Sequence, residues 1–159
     1  MIREAFIEAI RREYGTPQVI AGVATGAIAM GALTAEAMDL PFVYVRSSQK
    51  SHGLQNTIEG EIREGQRVVV VEDLISTGNS SLRAVDALRA GGAEVSGMVA
   101  IFSYGFDRAR ENFEQKQCRL HTLTDYQTLV DVAMKQGYLK EEHREELEQW
   151  RQDPAHWGQ

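Results

Sequence analysis

In the stretch Val68-Val69-Val70-Val71-Glu72-Asp73-Leu74-Ile75-Ser76-Thr77-Gly78-Asn79-Ser80-Ser81, four consecutive valines give way to two acids and then to a run of small polar residues. Four adjoining β-branched side chains are too apolar for an exposed element and predict a strand buried on both faces. Glu72 and Asp73 are expected where that strand runs out. The Ser/Thr/Gly/Asn turn follows, and Leu82, Val85 and Leu88 then recur at helical spacing. A buried parallel strand that feeds such a turn into a helix N-terminus is suited to holding phosphate. The turn offers backbone N–H groups, and the helix end adds a partial positive charge. Acids beside a phosphate are better placed to bind neutral hydroxyls, or a hard divalent cation through oxygen ligands and water. One phosphate with vicinal hydroxyls describes a ribose 5-phosphate. The turn has neither Gly-x-x-x-x-Gly-Lys-[Ser/Thr] nor Gly-x-Gly-x-x-Gly, so a nucleoside-triphosphate loop and a dinucleotide fingerprint both fit poorly.

Upstream, Ile2, Ala5, Phe6, Ala9 and Ile10 mark an amphipathic helix that Gly15-Thr16-Pro17 ends. Val19–Val23 is a short apolar strand running into Ala24-Thr25-Gly26-Ala27 and a small-residue helix from about Ile28 to Met38. Gly22 and Gly26 fit either close approach of a ligand to the backbone or tight helix–strand packing. Pro41–Val45 reads as a second strand with proline at its first position. Arg46–Asn56 is polar and aperiodic, which predicts a mobile loop. Its Arg46, Lys50 and His52 form either a local cationic site or a solvated surface. Alternation over Thr57–Ile62 predicts a half-exposed strand leading out of it.

Downstream, the helix after the acidic motif ends at Gly91-Gly92. A strand spans Ala93–Phe102, Ser103-Tyr104-Gly105-Phe106 makes a loop, and a polar helix covers about Asp107–Lys116. Leu120–Leu123 is a last short strand. Thr124 and Gln127 resemble a capping box opening a helix with the stripe Tyr126, Leu129, Val130, Ala133 and Met134, which Gly137 stops. Lys140–Gln152 is a charged helix with Leu147 and Trp150 inward, and Trp150 and Trp157 read as anchors of this tail. Strands alternating with helices predict an α/β fold with a parallel sheet, whose ligands lie beyond the carboxyl ends of the strands. Gly22–Gly26, Arg46–His52, Glu72–Ser81 and Ser103–Phe106 each fall on that edge.

The length of 159 residues predicts a single domain over 1–159, with the helical tail at about 140–159, and no internal repeats. A net charge of −6 argues against a duplex nucleic acid partner, which needs a broad basic face. The lone Cys118 leaves no intrachain disulfide. No apolar run approaches the ~20 residues of a membrane span, and the first turns lack the apolar core of a signal peptide. A cytoplasmic protein with no membrane partner is expected.

Val68–Ser81 resembles the phosphoribosyl-diphosphate-binding motif of the type I phosphoribosyltransferases: a hydrophobic run, two acids, two apolar residues and a Thr-Gly-rich turn. Arg46, Lys50 and His52-Gly53, spaced as Arg-x-x-x-Lys-x-His-Gly, resemble the mobile catalytic loop of the orotate branch of that family. The resemblance implies a three-layer α/β/α, Rossmann-like phosphoribosyltransferase fold with a mainly parallel central sheet and a mobile catalytic loop. It implies Mg²⁺-dependent transfer of ribose 5-phosphate from phosphoribosyl diphosphate to orotate, giving orotidine 5′-monophosphate and pyrophosphate in pyrimidine (UMP) biosynthesis. It also implies a homodimer with shared active sites, the loop of one subunit closing over the other's site.

By the same resemblance, Lys50, His52 and Asp73 are the catalytic residues. Arg46, Lys50 and His52 stabilise the leaving pyrophosphate. Glu72 and Asp73 hold the ribose hydroxyls. Thr77, Gly78, Asn79, Ser80 and Ser81 hold the 5′-phosphate, Leu74 and Ile75 complete the motif, and Ser76 contacts the base. Gly22–Gly26 forms the pyrophosphate-side loop, with Thr25 and Gly26 as its substrate-binding residues. Mg²⁺ is held mainly by the substrate, with Glu72 or Asp73 acting through water. The chain departs from the pattern in four places, the first being that its Gly22–Gly26 loop lacks the lysine some members place there. Ser47 stands where lysine is frequent, Ser103–Phe106 supplies no arginine for the orotate carboxylate, and the N-terminal hood segment over the base is missing. A shortened family member is therefore expected. A phosphoribosyltransferase for another base, or a non-catalytic phosphoribosyl-binding regulator, remain the alternatives.

Overall fold

The structure, a computed structural model, describes residues 1–46, 57–152 and 154. Its elements run α1 (Ile2–Tyr14), β1 (Val19–Val23), α2 (Ile28–Ala37), β2 (Phe42–Val45), β3 (Ile58–Glu59), β4 (Arg67–Ile75), α3 (Asn79–Ala90), β5 (Glu94–Ser103), α4 (Asp107–Gln115), β6 (Leu120–Asp125), α5 (Tyr126–Lys135) and α6 (Glu142–Gln152). The strands form a sheet ordered β3-β2-β1-β4-β5-β6. Every pairing is parallel except that of β3 with β2. The chain winds outward from β1 to β2 and β3, then returns to lay β4 on the other side of β1. That reversal makes β1/β4 the switch point, where a crevice opens beyond the strand ends.

The four valines are fully buried, as their composition requires. Period-2 alternation sends them to opposite faces. Val68 and Val70 join Val85 and Leu88 of α3 and Phe113 of α4 in one core. Val69 and Val71 join Phe6 and Ile10 of α1 and Ala35 of α2 in the other. Each buried valine contributes roughly 1.5 kcal/mol or more of apolar transfer energy. The result is the expected three-layer α/β/α arrangement. The apolar face of α1 (Phe6, Ala9 and Ile10) is covered by the sheet.

Several boundaries differ from the expectation. β4 does not end before its acids but continues to Ile75, because β5 runs beside it with Glu72 opposite Ala100, Leu74 opposite Phe102 and Ile75 opposite Ser103. On the other flank, the pairing with β1 ends at Gly22 opposite Val71. Residues 72–75 therefore jut past β1 with one edge open. The strand expected over Thr57–Ile62 is only Ile58–Glu59, since Gly60, at φ +116, turns the chain away from β2. β6 extends through Asp125, so Thr124 sits in the ladder opposite Phe102 and cannot cap α5. Asp125 caps it instead, its Oδ1 accepting from the Thr128 N–H at 2.8 Å. In the α5 stripe Val130 is buried but Leu129 is 54% exposed, because the helix lies at the sheet margin and is covered on part of its circumference. The mobile-loop expectation for 46–56 falls, apart from Arg46, outside the described residues, as does Trp157.

Candidate active site

The projecting end of β4 carries the two acids into the crevice with opposite fates. Alternation along the strand turns Glu72 inward, where it is 5% exposed, and leaves Asp73 exposed. Glu72 is held by two donors: Ser81 Oγ–H gives to its Oε2 at 2.7 Å, and the Asp73 N–H gives to its Oε1 at 3.0 Å. Burial nevertheless dominates and pushes its carboxyl up to about 7, the bond from Ser81 pulling the other way. Asp73 accepts from the Leu74 N–H at 2.7 Å through Oδ1. Its Oδ2 lies over Gly26, so closely that a Cβ on Gly26 would collide with the carboxylate. Glycine there lets the β1–α2 turn and the acidic strand share one spot.

Gly22, within β1, and Gly26, in the turn that follows it, have different surroundings. A Cβ at Gly22 would stand 2.9 Å from Ala27 O and 3.1 Å from the Phe42 ring, so Gly22 serves packing. Gly26 instead makes room for the Asp73 carboxylate. Thr25 beside it is exposed, and the Ala24–Thr25 peptide bond is cis.

After Ile75 the chain turns through Ser76 and Thr77 to Gly78, which is the N-cap of α3 in the left-handed conformation, φ 78. No side chain caps the helix, and the first-turn N–H groups of any helix lack intrahelical acceptors. Asn79 and Ser80, beside them in this first turn, are exposed. Phe113 closes the space beneath Gly78, its Cε2 2.6 Å from where a Cβ would be. The side chain of Ile75 is fully buried in the core and does not enter the site. Its carbonyl instead accepts from the Tyr104 N–H at 3.1 Å, tying the β5–α4 loop to the strand end. Leu74 is 42% exposed.

Arg46 follows β2 and pairs with Glu59 of β3 at 3.0 Å, while its N–H donates to Thr57 O at 2.8 Å. Lys50 and His52 lie outside the described residues. Sequence reasoning missed Asn112. Its Nδ2 donates to Thr77 O at 2.8 Å and to Asn79 Oδ1 at 3.1 Å, bracing the turn from α4. Nothing in the periodicity of a polar helix distinguishes this asparagine from its exposed neighbours. The reading of Trp150 as a simple tail anchor was also incomplete. Tyr104 stacks on Phe106 (centroids 5.4 Å apart) and meets Trp150 edge-on at 5.6 Å, so α6 closes on the β5–α4 loop. A cleft of about 1050 Å³ lies between them, lined among others by Ser76, Thr77, Tyr104, Phe106, Trp150 and Arg151.

Among the described residues, no group of three His, Cys, Asp or Glu side chains gathers as a metal cage. Mg²⁺ typically retains waters and phosphate oxygens among its ligands, so a single exposed carboxylate such as Asp73 fits it through water. Glu72, with both oxygens already accepting, fits less well.

Residues 1–136 match the family model described as the phosphoribosyl transferase domain. The orotate phosphoribosyltransferase of Bacteroides thetaiotaomicron is 58% identical over 148 residues, covering 93% of this chain and 70% of that protein. That of Porphyromonas gingivalis is 51% identical over 158 residues, covering 99% and 75%. Among solved structures, the orotate phosphoribosyltransferase from Aeropyrum pernix superposes with a TM-score of 0.75 at 28% identity, over 87% of this chain and 75% of that one. The chain belongs to the phosphoribosyltransferase family, among its orotate phosphoribosyltransferases.

Proposed function

We propose that this chain transfers the ribose 5-phosphate group of phosphoribosyl diphosphate to N1 of orotate, releasing pyrophosphate and forming orotidine 5′-monophosphate for pyrimidine synthesis. The observation that carries the reading is the meeting of Asp73 with Gly26 at the β1/β4 switch point, directly before a glycine-capped helix N-terminus. Relatives named orotate phosphoribosyltransferase at over 50% identity support the choice of base. So does the solved orotate phosphoribosyltransferase of Mycobacterium tuberculosis in complex with phosphoribosyl diphosphate, which superposes with a TM-score of 0.63 at 29% identity.

The α3 N-terminus, with Thr77 to Ser81, binds the 5′-phosphate. Asp73 receives the ribose hydroxyls beside Gly26, and its negative charge favours the cationic ring that forms as pyrophosphate leaves. Glu72 supports it from the buried side. Arg46, Lys50 and His52 stabilise charge on the pyrophosphate, and Thr25 and Gly26 supply backbone on that side. Mg²⁺, when bound, neutralises phosphate charge, and Asp73 holds it through water. Ser76 faces the base.

The whole chain, 1–159, works as one domain in the cytoplasm, and two copies pair with shared sites. No described helix is long and apolar enough to cross a membrane. Pairing is supported by α2, which is apolar around nearly its whole circumference yet leaves Leu33 47% exposed. Such a helix is ordinarily covered on all sides.

Orotate consumption and pyrophosphate release, assayed with Mg²⁺ and phosphoribosyl diphosphate, test the reading. Turnover of orotate that chelation abolishes is expected, and Asp73→Asn should weaken binding of phosphoribosyl diphosphate or its turnover. Turnover of hypoxanthine in place of orotate would overturn it.

A further inference from the structure

Orotate differs from the neutral pyrimidines by a carboxylate beside the reacting nitrogen, so selecting it calls for a fixed cation at the acceptor end of the site. The β5–α4 loop, Ser103-Tyr104-Gly105-Phe106, has none. The fold brings one to it from another element. Arg151, near the end of α6, donates through Nη2 to Gly105 O at 3.3 Å. Gly105 is in turn fixed by its N–H bond to Ser103 Oγ at 3.0 Å, and Tyr104 by its N–H bond to Ile75 O at 3.1 Å. Two loop residues therefore separate the guanidinium from the residue preceding Ser76.

Trp150, the neighbour of Arg151, packs on Tyr104 and on Tyr126 (centroids 5.3 Å apart), which holds the helix against the loop. Arg151 and Ser76 line the same 1050 Å³ cleft, alongside the aromatic faces of Tyr104 and Phe106. A planar anionic ring fits such a space: aromatic sides, a hydroxyl and a guanidinium fork that can grip a carboxylate in two places. The other charges of the cleft are Arg108, Asp107 and Glu148. Asp107 is engaged by Arg110 at 3.0 Å, and Arg108 and Glu148 are exposed. Asp125, whose carboxyl is held low chiefly by the Thr128 N–H and to a lesser extent by Arg151, is engaged in capping α5.

We infer that Arg151 is the specificity-determining residue for the acceptor: the C-terminal helix supplies the cation that binds the orotate carboxylate. This rests on the proposed function, and the two can fail separately. If the wild-type protein does not turn over orotate, that function falls. If it does, Arg151→Gln, which keeps a donor for Gly105 O but removes the charge, decides the inference. Losing one charge-assisted contact predicts a drop of roughly 10- to 100-fold in kcat/KM for orotate, with KM for phosphoribosyl diphosphate unchanged and the preference for orotate over uracil reduced by a similar factor. Arg151→Lys should recover part of the preference. An unchanged orotate-to-uracil ratio in Arg151→Gln overturns the inference. So does an equal loss toward both bases and the sugar donor, which would mark a merely structural role.

Discussion

Glu72 and Asp73 are chemically alike and adjacent, yet the fold gives them different work. Asp73 faces the crevice over Gly26, whereas Glu72 is buried beneath it with its carboxyl pushed up to about 7. The sign of the stability effect follows from linkage. The folded protein binds this proton more tightly than the unfolded chain, so the stabilisation is complete below the ordinary carboxyl range and is lost as pH rises through about 7. Urea titrations of the ligand-free protein should show wild-type stability declining between about pH 4.5 and 7, by an amount on the order of 3 kcal/mol from this group alone. Glu72→Gln should remove that part of the slope. A slope identical in the two proteins would mean that Glu72 is solvated. The sequence could announce both acids but not their division of labour, which depends on strand alternation and on Ser81 reaching back from α3.

At the scale of elements, the site is a turn braced from outside. α4 contributes Asn112, which holds Thr77 and Asn79 in place, and Phe113, which fills the space under Gly78. Asn112→Ala should cost roughly 1 kcal/mol in denaturant stability. It should also raise KM for phosphoribosyl diphosphate several-fold while leaving KM for orotate nearly unchanged, because only the phosphate end loosens. Steady-state kinetics with each substrate varied in turn would check this. The strands and helices were legible because periodicity reports burial, and the valine run left little choice. Strand ends were less so. β4 outlasts its apolar residues because β5 is there to pair with it, and Asp125 displaces Thr124 as cap because β6 extends two residues beyond Leu123. Such limits are set by a partner distant in sequence. The tie between Trp150, Arg151 and the β5–α4 loop was equally hidden, since nothing local in α6 says what it packs against.

Among the described residues, apolar side chains fill the two faces of the sheet, and exposed ones occur on α2 (Leu33) and on and after α5 (Leu129, Val132 and Tyr138). If α2 carries the pairing of two copies, Leu33→Glu should shift sedimentation toward the monomer and lower activity at dilute protein concentrations. Thermal stability should change little at the level of the single chain. A variant that sediments like the wild type would move the interface elsewhere. The central position of β4 has a further effect on how the molecule breathes. Val69 to Val71 are flanked by β1 and β5 and roofed by both hydrophobic layers, so their amide protons can meet solvent only when the entire chain unravels. Deuterium uptake along this one strand should therefore be graded, slowest at the valines and faster from Glu72 onward, where β1 no longer covers the edge. Glu72 and Asp73 stand at that boundary, anchored at one end to the last part of the protein to open and joined at the other to the glycine-capped turn that leads into α3.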